Sequence, residues 1–104
     1  MTKEDVEAEI SDSFIRNYNA LKIVGKEKPD SVQRVMATIQ DTDYYGAGKY
    51  NVVFDIFGTI VEDNGDLREN VRYQTNCHVI VTASDEGDPI ANIEEQIILT
   101  KSVI

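Results

Sequence analysis

The sequence predicts an α+β fold in which one N-terminal helix packs on a four-stranded antiparallel sheet. Three observations lead to this prediction. Apolar residues recur at helical spacing near the N-terminus, apolar and polar residues alternate along residues 70–83, and short turn sequences separate the strand candidates. Because short connections favour antiparallel neighbours, we expect the four strands to follow one another as a meander.

The length and composition are those of one globular domain spanning residues 1–104. No apolar run is long enough to cross a bilayer, and the acidic N-terminus lacks the apolar stretch of a secretory signal. These features favour a cytoplasmic protein, of a cell or of a virus-infected host, or one that is associated with a virion.

Residues 2–24 are predicted to form an amphipathic helix. Thr2 and Asp5 have the spacing of a capping box, and Gly25 is a natural end for the helix. An apolar stripe follows at helical spacing, and it is expected to face the sheet. Its members are Val6, Ile10, Phe14, Ile15, Tyr18 and Leu21.

Four strand candidates follow the helix. They span about residues 31–40, 49–62, 70–83 and 93–103. The first carries apolar residues on both parities, so the face that it buries stays open. In the second, Gly58 interrupts the apolar parity, which indicates a bulge or a position where something packs closely. Asn64-Gly65, between the second and third candidates, is a strong hairpin signal.

The order of one helix followed by four antiparallel strands resembles the layout of cystatin-like folds. This resemblance is architectural, because the chain has no cystatin inhibitory motif, and it implies no site residues. In such a layout the helix lies across one face of the sheet, and one helix cannot cover both faces.

The sequence contains no set of residues that would carry out catalysis. Cys77 and His78 are adjacent, but neighbouring side chains on a strand point to opposite faces, so a thiolate–imidazole pair is not expected. One cysteine and one histidine do not make a closed zinc site either. Asp41 and Asp43 begin like a calcium-binding loop but lack its remaining ligands. We therefore expect no enzyme, no cofactor and no metal.

Two features predict contacts with other proteins. Tyr44 and Tyr45 lie in a glycine-containing loop, and tyrosine is frequent at interface hot spots, although one of them could equally fold under the sheet. The second feature is the apolar content of the sheet face opposite the helix, unless its residues are scattered singly. The candidates on that face are Val53, Phe57, Val61, Ile80 and Ile98. The first functional prediction is a non-catalytic interaction or assembly module, either a homo-oligomer or part of a larger complex.

The net charge of −9 at pH 7 disfavours direct binding to nucleic acid and to anionic membranes. Solubility is the simplest explanation for this charge. The alternative function is an acidic mimic of nucleic acid that inhibits a nuclease or another nucleic-acid-binding protein, of the anti-restriction or anti-CRISPR type. The acidic-surface candidates are Glu62, Asp63, Asp66, Glu69, Asp85, Glu86 and Asp88. The two turns that contain them are expected at opposite ends of the third strand.

Overall fold

The computed structural model describes residues 2–25, 27–41 and 46–102. The elements in chain order are helix α1 (Lys3–Arg16), a 3₁₀ turn (Tyr18–Ala20) and strands β1 (Ile23–Val24), β2 (Ser31–Ile39), β3 (Gly48–Val61), β4 (Leu67–Ala83), β5 (Pro89–Asn92), β6 (Ile97–Ile98) and β7 (Thr100–Lys101). The predicted α+β class, with one N-terminal helix and an antiparallel sheet, is confirmed.

The main sheet has five strands, so the predicted number of four is wrong. Its order is β2-β3-β4-β5, and β7 also pairs with β4. The predicted last strand, 93–103, is not continuous. It contains β6, which pairs in parallel with β1, and β7, which pairs with β4. Strand β5, which precedes the predicted bounds, pairs with the same edge of β4 as β7. The nine residues from Asn92 to Thr100 run beside the seven from Gln74 to Ile80. The extra length explains why a single continuous strand cannot form there.

Helix α1 begins as predicted and ends early. The capping box is present, since the Thr2 hydroxyl accepts from the Asp5 N–H at 3.1 Å and the Asp5 carboxylate accepts from the Thr2 N–H. The helix ends at Arg16, well before the predicted end at residue 24. Asn17 caps it, and its side-chain amide donates to a carbonyl one turn back at 3.1 Å. Such local bonds from asparagine compete with helix continuation.

The core lies between α1 and one face of the sheet. At its centre the rings of Phe14 and Phe54 lie 5.1 Å apart, and those of Phe14 and Tyr18 lie 6.1 Å apart. The Tyr18 hydroxyl donates to the Pro29 carbonyl at 2.6 Å, and burial raises the pKa of Tyr18 to about 12. The prediction was wrong for Ile15, which is 37% exposed and therefore not part of the buried stripe.

A bulge in β2 explains why its sequence carries apolar residues on both parities. Val32 pairs with Gly58 and Arg34 pairs with Phe57, so Gln33 is an extra residue between two register positions. One extra residue exchanges the two faces of a strand. Beyond the bulge, the buried residues are Val35, Ala37 and Ile39.

Gly58 is a site of close approach, as predicted. A Cβ atom placed on it would lie 2.5 Å from the Ser31 carbonyl oxygen and 2.6 Å from the Pro29 Cβ. Its φ lies outside the left-handed region, so its backbone conformation is open to other residues. The glycine is required because the chain crosses directly over it while entering β2.

Helix α1 also protects both edges of the main sheet. The Glu7 carboxylate and the Ser11 hydroxyl accept the backbone N–H groups of Ile39 and Ala37, at 2.8 Å and 3.0 Å respectively. On the opposite edge, the Ser13 hydroxyl donates to a β5 carbonyl at 3.3 Å. Side chains of one helix thus satisfy backbone groups on both edge strands, which exposed edges otherwise offer to other chains.

Candidate interaction surface

The sheet face turned away from α1, here called the outer face, holds rows of side chains that cross three strands. Adjacent strands are about 4.8 Å apart and successive rows about 7 Å apart. The three rows nearest the centre are Arg34–Phe57–Arg72, Met36–Asp55–Gln74 and Thr38–Val53–Asn76. The prediction that the face opposite the helix carries Val53 and Phe57 agrees with this register.

An apolar patch lies on the outer face across β2 and β3. Met36 is 54% exposed, and the register makes Phe57 and Val53 its diagonal neighbours, which is within reach of long side chains. The Arg34 guanidinium carbon lies 4.3 Å from the centre of the Phe57 ring. We call Arg34, Met36, Val53 and Phe57 the Met36 patch. Methionine, aromatic residues and arginine are enriched in protein interfaces.

Sequence reasoning did not single out Arg34 and Met36. The bulge at Gln33 changes the parity within β2, so the strand as a whole shows no clear outer face. Residues 34–39 taken alone would have indicated the outer face of β2. In this segment Arg34, Met36 and Thr38 alternate with buried apolar residues.

Three of the other interface candidates do not join the Met36 patch. Val61 is 50% exposed at the end of β3, where it pairs with the exposed Leu67. Ile98 is 66% exposed but belongs to the small β1–β6 sheet. Ile80 lies in a separate cleft. Tyr44 and Tyr45 lie outside the described residues.

The cleft that contains Ile80 is about 26 Å along the strands from the row of Phe57. Its volume is about 170 Å³, and it is lined by Lys49, His78, Ile80, Glu94 and Glu95. The His78 backbone N–H donates to one Glu95 oxygen at 3.3 Å, and His78 Nδ1 lies 2.7 Å from the other. These bonds, the backbone one foremost, lower the pKa of Glu95. The Glu95 carboxylate thus accepts a hydrogen bond from the His78 amide of β4. This amide lies between the part of β4 that pairs with β5 and the part that pairs with β7.

A polar network borders the Met36 patch. Asp55 Oδ1 accepts from Gln74 Nε2 at 3.0 Å, from Arg72 Nε at 3.0 Å and from Arg72 Nη2 at 2.6 Å. The hydrogen bond from Gln74, followed by that from Arg72, lowers the pKa of Asp55 below its ordinary value. The folded state therefore favours the ionised carboxylate.

We expect Asp55→Asn to lower the free energy of unfolding at neutral pH by about 1 kcal/mol, as for a partly exposed ion pair. The folded-state pKa lies below the unfolded-state pKa of about 4. The contribution of Asp55 to the free energy of unfolding is therefore fully present above the unfolded-state pKa. It is lost as the pH falls through the folded-state pKa. Urea unfolding across acidic and neutral pH measures this loss, with Asp63→Asn in the exposed β3–β4 turn as the control. An unchanged acid dependence in Asp55→Asn would contradict the assignment.

Cys77 and His78 lie on opposite faces of β4. Cys77 is 4% exposed in the core, and burial raises its pKa to about 11. The thiol is therefore protonated at neutral pH and shielded from substrates. The His78 side chain is 49% exposed on the outer face. Within residues 2–25, 27–41 and 46–102, no group of three or more His, Cys, Asp or Glu side chains is placed to hold a metal ion.

The acidic-surface candidates divide between two ends of the molecule. Glu62, Asp63, Asp66 and Glu69 lie in or beside the β3–β4 turn, and Asp85, Glu86 and Asp88 lie in the β4–β5 turn. These turns are at opposite ends of β4, which has 17 residues and spans about 50 Å. The candidates therefore form two short acidic segments, one at each end of the outer face, and not one continuous surface.

Comparison with known proteins adds no relative: no family model matches the chain, and no curated protein or solved structure matches it either. No helix in the described part of the chain is long and apolar enough to cross a membrane. The function must therefore be inferred from the surface of the protein.

Proposed function

We propose that this protein is a non-catalytic interaction module that binds a partner protein through the outer face of its sheet. The observation that carries the proposal is the Met36 patch. A methionine that is 54% exposed, beside a phenylalanine that an arginine covers in part, is an apolar surface with the composition of an interface core. Exposed contiguous apolar surface on a small domain is typical of interaction sites.

The outer face has the area of a small interface. Strand β3 has 14 residues, and with the two strands beside it the face measures on the order of 600 Å². Specific interfaces typically bury about 800 Å² on each partner, and transient ones bury less. The face therefore suits a reversible interaction, with the Met36 patch as its apolar part.

Charge favours a partner of different sequence over a second copy of this chain. The acidic turns lie at both ends of the outer face, so two copies meeting face to face bring like charges together in either orientation. We therefore propose docking in a larger complex and expect the isolated protein to be monomeric. Sedimentation velocity over a range of concentrations measures this, and a stable dimer that Met36→Lys dissociates would reverse the choice of partner.

The matched variants Met36→Lys and Ile15→Lys test the docking surface. Both replace an exposed apolar side chain with lysine, the first in the Met36 patch and the second on α1. Each variant and the wild type are used as bait in an extract of the organism that encodes the chain, and bound proteins are quantified by mass spectrometry. We expect a protein retained by wild type and by Ile15→Lys and reduced about tenfold with Met36→Lys, which corresponds to about 1.4 kcal/mol. Equal retention by all three baits, or no retained protein, would contradict the proposal.

A further inference from the structure

Arg34 differs from the other arginines in its surroundings. The chain has four arginines, and all of them lie in the described residues. The other three form ion pairs: Arg16 with Glu9, Arg68 with Glu62, and Arg72 with Asp55. Among the residues that the structure describes, the Arg34 guanidinium forms no ion pair or hydrogen bond, and its contact is with the Phe57 ring.

That no carboxylate in the described part of the chain pairs with Arg34 is notable because acidic residues outnumber basic ones by 19 to 10 in the sequence. Stacking on Phe57 restricts the Arg34 side chain and leaves its N–H donors available at the surface. Arg72 occupies the other end of the same row, but Asp55 already accepts its hydrogen bonds. Arg34 is therefore a positioned cation beside the exposed Met36, and it has no carboxylate partner within residues 2–25, 27–41 and 46–102.

We propose that Arg34 anchors an aspartate or glutamate side chain of the partner protein, whose neighbouring apolar residues cover Met36 and Val53. This inference rests on the proposed function of the outer face. A guanidinium binds a carboxylate through two parallel hydrogen bonds, which gives both strength and direction. Arginine is also among the residues that dominate interface hot spots, where surrounding apolar contacts exclude water. The partner surface is therefore acidic and apolar.

A preference for acidic ligands is the opposite of what the net negative charge of the protein predicts. A net charge of −9 attracts basic partners at long range. The nearer acidic turn begins beyond Val61, about 13 Å along β3 from Phe57, whereas the screening length at physiological ionic strength is about 8 Å. The carboxylate in the neighbouring row, Asp55, is already bonded to Arg72 and Gln74, and the acidic turn lies beyond the screening length. Selection of acidic ligands would therefore identify Arg34 as the residue that attracts them.

A library of random peptides displayed on phage tests the anchor on the intact protein. Peptides are selected in parallel on wild type, Arg34→Glu and Met36→Lys. We expect wild type to select peptides that carry Asp or Glu beside apolar residues, and Arg34→Glu to select Lys or Arg instead. In synthetic copies of the selected peptides, replacing the acid by its amide should weaken binding to wild type about tenfold. Arg34→Lys, which keeps the charge without the forked geometry, should bind them more weakly than wild type.

The outcomes distinguish this inference from the proposed function. If selected peptides lose affinity for Met36→Lys but show no acidic preference, or if acid and amide peptides bind alike, the outer face binds proteins and the Arg34 anchor is refuted. If no peptide distinguishes wild type from Met36→Lys, both proposals fail. Circular dichroism verifies that each variant is folded. If Arg34→Glu is not, Arg34→Gln replaces it, and we then expect the acidic preference to be lost.

Discussion

Phe14→Ala is expected to lower the free energy of unfolding by about 3–5 kcal/mol, because it removes a fully buried ring and leaves a cavity. The ring lies between α1 and the sheet, 5.1 Å from the ring of Phe54, so the loss falls on the contact that joins the two layers. Small domains have a total stability of about 5–15 kcal/mol, and this variant should therefore be close to unfolding.

Thermal and urea unfolding of Phe14→Ala measure this effect, and we expect the melting temperature to fall by more than about 10 °C. Ile15→Ala is the control in the same helix, since Ile15 is 37% exposed. The free energy of unfolding of Ile15→Ala should stay within about 0.5–1 kcal/mol of the wild-type value. Similar losses for both variants would contradict the assignment of the buried face of α1.

Gly58→Ala is expected to lower the free energy of unfolding by about 1–3 kcal/mol, the usual range for overpacking. The added methyl group would lie 2.5 Å from the Ser31 carbonyl oxygen and 2.6 Å from the Pro29 Cβ, so the chain entering β2 has to move. Urea unfolding measures the loss. If Gly58→Ala has the same free energy of unfolding as the wild type, the close contact of Gly58 with Pro29 and Ser31 is contradicted.

Pro29→Gly provides a second test of the same contact. It removes the two proline carbon atoms that the new methyl group would meet, but it leaves the Ser31 carbonyl in place. We therefore expect the double variant Gly58→Ala/Pro29→Gly to be more stable than the sum of the two single losses predicts. Strict additivity would place the strain somewhere other than at this crossing.

The regular parts of the fold were predictable from the sequence because their periodicity is long and unbroken. Strands β3 and β4 follow residues 49–62 and 70–83 closely, since alternation over many residues has one structural explanation. Strand β4 begins earlier than predicted because the chain continues through a bulge at Asn70, with a φ of 56°. Asparagine tolerates that left-handed conformation better than most residues.

The irregular parts depend on contacts between distant residues, which a local pattern does not contain. The outer edge strand is divided into β5 and β7, and the Glu95 carboxylate bonds the β4 amide of His78 between them. Residues 17–24 leave the predicted helix, and the Tyr18 hydroxyl donates to Pro29, eleven residues away. Neither arrangement has a signal in the spacing of apolar residues.

The candidate site was predictable in part. Alternation in β3 placed Val53 and Phe57 on the outer face, but the neighbours of these residues depend on the register between strands. That register brings Arg34 and Met36 to them and leaves Ile80 about 26 Å away. The sequence predicted the outer face of β3. It did not predict the neighbours of that face on β2, because the extra residue at Gln33 reverses the alternation within β2.

The hydrogen bonds from α1 to the sheet edges bear on how the proposed partner would recognise this protein. Proteins that bind by adding a strand gain affinity from backbone groups, which are the same in every sequence. Here Glu7 and Ser11 already occupy the amides of Ile39 and Ala37, and the opposite edge is bonded to Ser13. Recognition at the proposed outer face would then depend on side chains. The specificity of the proposed docking would consequently change with single surface substitutions, while the backbone and the core remain as they are.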